Sequence, residues 1–434
     1  MKLKLTHMKA KIIPILAILL MFSVFFNSCE DTTYREYKGN APVYMSYADL
    51  RAAIAEEQNV DLKNPGKIYF KDNYIFIIEE LKGIHVFDNN NPSAPVKKTF
   101  VKVPGVVDMA ASGNILYADS FVDLVVLDVQ DVRNIHETGR IKDILPYTVP
   151  PTGNTFPIAD VDEEKGLVVG WELKTIRERV FNDPVIYPVF KTTMNMMEDA
   201  AFFSASSGVS SSGTGIGGSM ARFGLKDNVL YLLDKNTLKL FDITAKSSPA
   251  KLFEINPGSE IETMFLTSNN MFLGTTTGMI IYDITNPQTL IRKSTYNHMR
   301  SCDPVVVDDT LAYITLRSGT TCGGTINSLD VVNLKNLSQP SLVLSYPMNN
   351  PFGLGKSGSL LFICDGNAGL KVFDASNPKT ISSHLIYTYP GIKAYDVIPV
   401  GNILVLIGDD GLYQYNYSNV QNITLMSTIS VVKD

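Results

Sequence analysis

The residues best suited to acid–base chemistry lie in one short stretch of the sequence, which contains His298, Arg300, Asp303 and Arg317. An imidazole beside a carboxylate can accept and release a proton near neutral pH, and arginines can hold an anionic group of a substrate. A histidine next to an acid more often stabilises a loop than catalyses a reaction. His298 and Asp303 are therefore the candidates for catalysis, but the sequence favours a protein that is not an enzyme.

Motifs for zinc sites and hydrolytic nucleophiles are missing from the sequence. The histidines beyond the N-terminal segment lie far apart, at His85, His136, His298 and His384. No His-Glu-x-x-His, Cys-x-x-Cys or Gly-x-Ser-x-Gly sequence occurs, so we expect neither a zinc site nor a serine hydrolase, and no cofactor. Calcium at the turns that follow Asp365 and Asp409 stays an alternative because carboxylates bind this cation, although the spacing of an EF-hand is absent.

The first 28 residues have the pattern of a bacterial signal peptide. Lys2 to Lys11 carry four lysines and no acid, and an apolar run from Ile12 to Phe26 is too short to span a membrane comfortably. Ser28 precedes Cys29 as in the cleavage site of lipoproteins, so we expect a lipid on Cys29. The acids that follow Cys29 favour an outer-membrane lipoprotein exposed on the cell surface, with the lipid as its one membrane contact.

Residues 29–66 are predicted to form a lipidated tether with one short helix. Ser46-Tyr-Ala-Asp49 has the spacing of a capping box, which predicts a helix near residues 47–57. The formal net charge of the whole chain is -6; without the four lysines of the signal peptide, 34 basic and 44 acidic residues remain, a balance of -10. This charge argues against a nucleic-acid partner.

From residue 67 to residue 434 the sequence repeats itself. Seven short β-runs end in Asp or Asn before a turn, at Asp88, Asp128, Asp242, Asp283, Asn333, Asp374 and Asn416. Such side chains accept the backbone N–H two residues further on, so we assign these acids a structural role. A second pattern, a polar residue or glycine before an apolar strand, recurs eight times and adds a unit at Gly166-Leu-Val-Val-Gly-Trp171.

Each unit holds four predicted strands and is about 40 residues long, which is typical of a β-propeller. The sequence thus predicts an all-β fold of four-stranded blades, with eight blades expected. Seven blades are the alternative if residues 155–190, which lack the Asp turn, do not form a blade. A Ser- and Gly-rich insertion at 182–219 is expected to form a flexible loop, with a flap over one face of the ring as a further hypothesis.

The strand Leu124-Val-Val-Leu-Asp128 and the turn from Asp283 to Pro287 resemble the LVIVD-repeat family of bacterial cell-surface proteins. The stretches around His298, Leu316 and Phe362 look like a lipoprotein branch of that family. The resemblance implies a propeller at the cell surface and does not imply a specific activity.

The strand register also predicts where charged groups gather. In a propeller, the loop that enters the innermost strand and the loop that joins the second and third strands emerge on the same face. We predict a ligand-binding funnel on that face, formed by Asp108, Asp365, Asp396, Asp303, Arg300 and Arg317. Further charged residues at matching positions are Glu79, Asp119, Asp160, Glu172, Arg222, Asp234, Glu262, Lys393 and Asp409. The alternative is that these carboxylates accept backbone N–H groups in tight hairpins.

Two cysteines, Cys302 and Cys322, fall in loops of one unit that lie on this same face. A disulfide between them is plausible in an oxidising compartment and would contribute about 3 kcal/mol by closing the loop. Cys364 lies at the matching strand end of the next unit, and it is either a buried apolar residue or a competing partner.

These features lead to a functional expectation. The favoured hypothesis is a surface lipoprotein whose propeller is a binding or scaffolding module for a small extracellular ligand or an outer-membrane protein, with the domain itself monomeric. The alternative is an enzyme that acts on a surface or periplasmic substrate at the same face.

Overall fold

The computed structural model describes residues 33–180, 216–217, 221–234, 236–298, 304–319 and 324–433. The chain divides into two compact units. Within the described residues, the smaller unit contains 33–42, 154–160 and 171–180, and the larger unit contains the rest. Cys29, Arg300, Cys302, Asp303 and Cys322 lie outside the described residues.

The described chain is almost entirely β-structure. It begins with β1 (Thr33–Met45), α1 (Tyr47–Ala52) and β2 (Ala55–Glu57). Blade 1 contains β3 (Pro65–Lys71), β4 (Tyr74–Glu79), β5 (Gly83–Asp88) and β6 (Val96–Lys102). Blade 2 contains β7 (Met109–Ser112), β8 (Ile115–Ser120), β9 (Asp123–Asp128) and β10 (His136–Ile141), and it is followed by β11 (Leu167–Val180) and β12 (Ile216–Gly217).

Five more blades follow in order along the chain. Blade 3 contains β13 (Phe223–Lys226), β14 (Val229–Leu233), β15 (Leu238–Asp242) and β16 (Ala250–Ile255). Blade 4 contains β17 (Ile261–Leu266), β18 (Asn270–Thr275), β19 (Gly278–Asp283) and β20 (Ile291–Asn297). Blade 5 contains β21 (Val305–Asp308), β22 (Leu311–Leu316), β23 (Ser328–Asn333) and β24 (Ser341–Pro347). Blade 6 contains β25 (Leu354–Ser357), β26 (Leu360–Cys364), β27 (Leu370–Asp374) and β28 (Leu385–Tyr389), and blade 7 contains β29 (Ala394–Val400), β30 (Ile403–Gly408), β31 (Gly411–Asn416) and β32 (Thr424–Ser430).

The propeller therefore has seven blades, so the expectation of eight blades is wrong and the alternative of seven is confirmed. The apolar run after Gly166 does form a strand, as its pattern predicts. That strand is β11, which pairs with β1 in a two-stranded sheet instead of joining a blade. The local sequence cannot distinguish a strand that joins a blade from a strand that pairs with β1, because the partner strand lies far away in the sequence.

Every blade is a consecutive antiparallel meander whose middle strands are apolar on both faces. In β4, five of the six residues are buried, and both faces of such a strand pack against a neighbouring sheet. Buried tyrosines also link blades: the Tyr231 hydroxyl of blade 3 donates to the Pro287 carbonyl of blade 4 at 2.6 Å, and Tyr346 of blade 5 donates to Pro378 of blade 6 at 2.9 Å. A buried bond of this kind contributes about 1 kcal/mol.

The acid or Asn that ends each third strand has the local role that the sequence predicts. Its side-chain oxygen accepts the backbone N–H two residues further on in all seven blades, at 2.7 to 3.0 Å. In six blades a second Asn or Asp three residues later repeats the same bond, at Asn91, Asp131, Asn286, Asn336, Asn377 and Asn419. This double turn reverses the chain into the outer strand, and the structural assignment of the acids is confirmed.

The described strands of the first and last blades do not pair, and the ring closes through side chains and one backbone bond, from the Val432 N–H after blade 7 to the Leu62 carbonyl before blade 1 at 2.8 Å. Ile68, Ile75 and Ile77 of blade 1 share an apolar cluster with Val405 and Ile407 of blade 7. In the same seam, the amides of Asn89 and Gln414 bond each other reciprocally at 2.9 and 2.7 Å. Two additional strands flank blade 1: β2 pairs with the outermost strand β6, and β12 pairs with the innermost strand β3.

The N-terminal helix and the smaller unit have their own contacts. The capping box is present, because the Ser46 hydroxyl accepts the Asp49 N–H at 3.0 Å. In the smaller unit, Arg35 pairs with Glu178 at 3.2 Å and Tyr37 donates to the same carboxylate. Burial and this hydrogen bond raise the pKa of Tyr37 to about 12. β1 begins at Thr33, within the stretch expected to be a tether.

Candidate functional site

The candidate site lies on one face of the larger unit, which we call the hairpin face. It carries the hairpins between second and third strands, whose described residues are 80–82, 121–122, 234, 236–237, 276–277, 317–319, 324–327, 365–369 and 409–410. The loops that enter each innermost strand reach the same face. Loops from all seven blades therefore surround the mouth of the central channel.

Several carboxylates on the hairpin face hold these loops in place. Glu79 accepts the N–H groups of Lys63 and Asn64 at 2.9 and 3.0 Å. Burial alone would raise the pKa of Glu79, but the His85 ring 3.4 Å away and these two N–H groups lower it. This geometry matches the structural alternative that the sequence left open.

Asp365 and Asp108, two of the predicted ligand-binding residues, are buried among protein partners. Asp365 accepts the Asn349 and Asn350 N–H groups at 3.0 and 2.8 Å and pairs with Lys371 at 2.6 Å. Asp108 pairs with Lys67 at 2.8 Å and accepts the Arg222 N–H at 2.6 Å, so it joins blades 1, 2 and 3. Burial lowers the pKa of Lys67, while Asp108 acts in the opposite direction.

Asp396 is also buried, at 1% exposure, and one of its oxygens accepts the Val397 N–H at 2.9 Å. Its other neighbour is the backbone of blade 6. A Cβ atom on Gly353 would lie 2.4 Å from the Asp396 carboxylate, so only glycine allows this approach.

Arg317 meets residues of two other blades. Its guanidinium group lies over the Phe352 ring, 4.2 Å from the centroid, and the Thr315 hydroxyl donates to the Phe352 carbonyl at 2.6 Å. Burial lowers the pKa of Arg317, and the charge of Glu262 opposes this shift. His298 follows β20, where its N–H donates to the Thr277 carbonyl at 3.1 Å and its ring lies 6.4 Å from that of Tyr296. The structure thus places Arg317 against Phe352, where the charge of Glu262 acts on it.

A pocket opens on the hairpin face between blades 2 and 3. Its cavity volume is about 40 Å³, and the open space at its mouth brings the total to about 410 Å³. The lining residues are Gly105, Val107, Asp119, Phe121, Leu145, Pro146, Thr148, Arg222 and Asp234. The pocket thus combines an apolar wall with two carboxylates, a hydroxyl and a guanidinium group.

The charges in this pocket are held by specific contacts. Asp119 accepts the Val107 and Asp108 N–H groups at 2.7 and 2.9 Å through one oxygen. Its other oxygen lies 4.0 Å from Nη1 of Arg222, whose side chain is 29% exposed. Burial raises the pKa of Asp119, and the Arg222 charge opposes this shift. Asp234 pairs with Lys239 and accepts the Thr237 N–H at 2.9 Å.

Sequence reasoning placed the charged residues of this pocket on the correct face but missed its apolar wall. Leu145, Pro146 and Thr148 lie between β10 and β11, before residues 155–190, which were expected to form an additional blade. The prolines at 146, 150 and 151 were the available signal, because prolines are disfavoured in the central strands of a sheet.

The described residues place two further limits on the site. They contain no group of three or more His, Cys, Asp or Glu side chains suited to a metal ion. Cys364 is a free, fully buried thiol, and burial raises its pKa.

Across the part of the chain that the structure describes, no helix is long and apolar enough to cross a membrane.

The fold and site define an all-β seven-bladed propeller with polar residues gathered at the mouth of its channel. The LVIVD repeat family model matches residues 356–388, which run from β25 into β28 of blade 6. The chain is thus a β-propeller with an LVIVD repeat, and the resemblance seen in the sequence is confirmed.

Solved structures with a similar fold come from several sources. BamB from Moraxella catarrhalis is 8% identical, with 82% of this chain and 83% of that chain covered and a TM-score of 0.46. PorZ, a surface component of the type-IX secretion system of Porphyromonas gingivalis, is 11% identical, with 86% and 40% covered and a TM-score of 0.45. Sqt1 from Saccharomyces cerevisiae is 10% identical, with 91% and 100% covered and a TM-score of 0.47. These likenesses carry no argument about function, and no curated protein matches the sequence.

Proposed function

We propose that the chain is a cell-surface lipoprotein whose propeller binds an extracellular ligand or an outer-membrane partner through the pocket between blades 2 and 3. The observation that carries this proposal is the position of Arg222. Its guanidinium group is partly exposed above an apolar wall, next to the Asp119 carboxylate. A group of this kind can form paired hydrogen bonds with a carboxylate or phosphate of a ligand.

The neighbouring contacts support a preformed site. The Arg222 N–H is fixed by Asp108, and its Nη2 donates to the Leu233 carbonyl at 3.2 Å. Both contacts hold the arginine before any ligand arrives, which lowers the entropy cost of binding. The Asp119 oxygen that faces Arg222 adds an acceptor, so the pocket suits an anionic group of a ligand that carries a hydroxyl or amine donor beside it.

The membrane anchor is part of the same proposal. A lipid on Cys29 would keep the propeller at the outer membrane, and the acids after Cys29 favour export to the cell surface. The ordered strand β1 begins four residues after that cysteine, so the tether between lipid and folded chain would be short. Labelling of cells with a palmitate analogue should mark the wild-type chain and leave Cys29→Ala unlabelled.

A thermal-shift screen tests the binding proposal. We expect at least one compound from a panel of divalent cations, cobalamin-type cofactors, haem, organic acids and oligosaccharides to raise the melting temperature. Ligand at a hundredfold excess over Kd stabilises the native state by about 2.7 kcal/mol, which a melt resolves. If no compound shifts the melt, the small-molecule form of the proposal is wrong, and pull-down from outer membranes should then identify a protein partner.

The enzyme alternative centres on a different part of the hairpin face. It is favoured by the convergence of Arg317, Glu262 and Phe352 from three blades, and it would use His298 and Asp303 for proton transfer. Arg317→Ala should then abolish turnover of a substrate, whereas it should leave binding at the pocket between blades 2 and 3 unchanged, since Arg317 does not line that pocket.

A further inference from the structure

The pocket between blades 2 and 3 presents one positive and one negative charge side by side. Nη1 of Arg222 lies 4.0 Å from Oδ2 of Asp119, a distance that is too long for a hydrogen bond. The other carboxylate that lines the pocket, Asp234, is already paired with Lys239. The charges that remain for a ligand are therefore one cation and one anion, next to each other.

Both charged groups have capacity left for a ligand. The two N–H groups that bind Asp119 both donate to Oδ1, and among the residues that the structure describes none donates a hydrogen bond to Oδ2. Burial raises the pKa of Asp119, which shows that its negative charge is only partly compensated by Arg222. In Arg222, Nη2 donates to the Leu233 carbonyl, whereas Nη1 has no hydrogen-bond acceptor within the described part of the chain.

The apolar wall beside these charges is held in a fixed position. Phe121 has a φ of 51°, a left-handed conformation that a bulky residue rarely adopts. Gly105 makes room for its ring, because a Cβ atom on Gly105 would lie 2.4 Å from Cδ2 of Phe121. The Leu145 N–H donates to the Val122 carbonyl at 2.9 Å, which ties Leu145 to the same hairpin. The wall is therefore present before a ligand binds.

The size of the pocket limits the ligand. A cavity of about 40 Å³ holds a head group of a few non-hydrogen atoms, and the open mouth leaves space for a side chain against the wall. Haem or an oligosaccharide would lie mostly outside this cavity. The dimensions thus favour a small molecule whose charged groups are close together.

We propose that the ligand is a free α-amino acid with an apolar side chain. Its carboxylate binds Arg222, its ammonium group donates to Oδ2 of Asp119, and its side chain packs on Phe121. Such a zwitterion carries both charges on neighbouring groups, as the pocket does, and both contacts are charge-assisted hydrogen bonds. A simple anion would bind Arg222 but leave Oδ2 of Asp119 without a donor. This proposal rests on the proposed function, because it names the ligand class of the same pocket.

Calorimetric titration of the full chain in detergent with leucine and three analogues tests the ligand class. Leucine should bind. N-acetyl-leucine, which lacks the ammonium group, and leucinamide, which lacks the carboxylate, should each bind at least about tenfold more weakly. Alanine should also bind at least about tenfold more weakly, because its methyl group covers little of the apolar wall. These comparisons use the wild type, so they do not depend on the folding of a variant.

The variant Asp119→Asn tests the ammonium contact, because it removes the charge and keeps an oxygen for the Val107 and Asp108 N–H groups. It should weaken leucine binding at least about tenfold and leave N-acetyl-leucine binding unchanged, a selective effect that general loosening of the pocket would not produce. The matched control is Asp128→Asn in the turn after β9 of the same blade, where the side chain accepts the Gln130 N–H at 2.8 Å. This control should bind leucine like the wild type.

Three results would overturn the amino-acid proposal: no binding of leucine, equal binding of leucine and N-acetyl-leucine, or full leucine affinity in a folded Asp119→Asn protein. If leucine does not bind but another compound stabilises the wild type and not Arg222→Ala, the pocket is a binding site for a different ligand class and only the amino-acid proposal fails. If neither leucine nor any other compound binds, the small-molecule form of the proposed function fails as well.

Discussion

Asp123 shows how one buried carboxylate organises several elements. It is fully buried at the start of β9 and forms two bonds with Arg51 of α1, at 3.0 and 3.1 Å. Arg140 of the outer strand pairs with the same carboxylate at 3.0 Å, and the Asp143 N–H donates to it at 2.9 Å. The sequence offered no sign of this centre, because its members come from the N-terminal helix and from both ends of blade 2.

Removal of this carboxylate should be costly. Asp123→Ala removes the acceptor of Arg51, Arg140 and the Asp143 N–H, although Arg140 keeps Glu137 and Arg51 keeps Asp143. We expect a loss of about 1–3 kcal/mol in the free energy of unfolding, since buried donors lose their hydrogen-bond acceptor. The control is Glu254→Ala, which breaks a surface pair with Lys251 and should cost less than about 1 kcal/mol. Urea unfolding of both variants measures the difference, and equal losses would contradict this account.

The same residue predicts a pH dependence. Burial alone would raise the pKa of Asp123, but hydrogen bonds from Arg51, the Asp143 N–H and Arg140 lower it below its ordinary value. Its stabilisation is therefore present above the unfolded-state pKa of about 3.9 and is lost as the pH falls through the lower folded-state value. The stability difference between wild type and Asp123→Asn should be constant above about pH 5 and shrink below about pH 4. A difference that does not change with pH would show that Asp123 is not charged in the folded state.

At the scale of the blade, the turn after each third strand, which is a double turn in six of the seven blades, is the element that the sequence reveals best. Its hydrogen bonds join residues two positions apart, so the residue types and their spacing contain all the information needed. The apolar run after Gly166 led to the wrong prediction of an eighth blade, because a strand that pairs with β1 has the same local pattern as a blade strand. Local contacts are thus predictable from this sequence, whereas partners far along the chain are not.

The first hydrogen bond of this turn makes a specific prediction at Asp242, which accepts the Thr244 N–H at 2.7 Å in blade 3, where Ala245 stands in place of the second Asn or Asp. Asp242→Ala removes the acceptor and should lower the free energy of unfolding by about 1 kcal/mol. Asp242→Asn keeps an acceptor, as Asn333 and Asn416 do at the equivalent position in blades 5 and 7, so it should cost much less. Thermal or urea unfolding of the two variants provides the comparison, and an equally large loss for Asn would mean that the charge matters more than the hydrogen bond.

At the scale of the whole molecule, the ring separates two kinds of loop. The turns between third and fourth strands are closed by local hydrogen bonds, whereas the hairpin face gathers residues that no local pattern unites. The sequence therefore predicted the positions of only some of the residues in the pocket. Asp119, Arg222 and Asp234 could be placed from the strand register, but Leu145, Pro146 and Thr148 could not, because their segment departs from the repeat.

The measurement that tests the central claim most directly is calorimetric titration of the compound with the largest thermal shift. Three proteins are compared: wild type, Arg222→Ala, and Arg133→Ala as a control. Arg133 is 79% exposed in the turn between β9 and β10, away from the hairpin face. We predict binding at least about tenfold weaker in Arg222→Ala and unchanged in Arg133→Ala, because only Arg222 would meet the ligand. Wild-type affinity in Arg222→Ala would contradict the assignment of the pocket as the binding site.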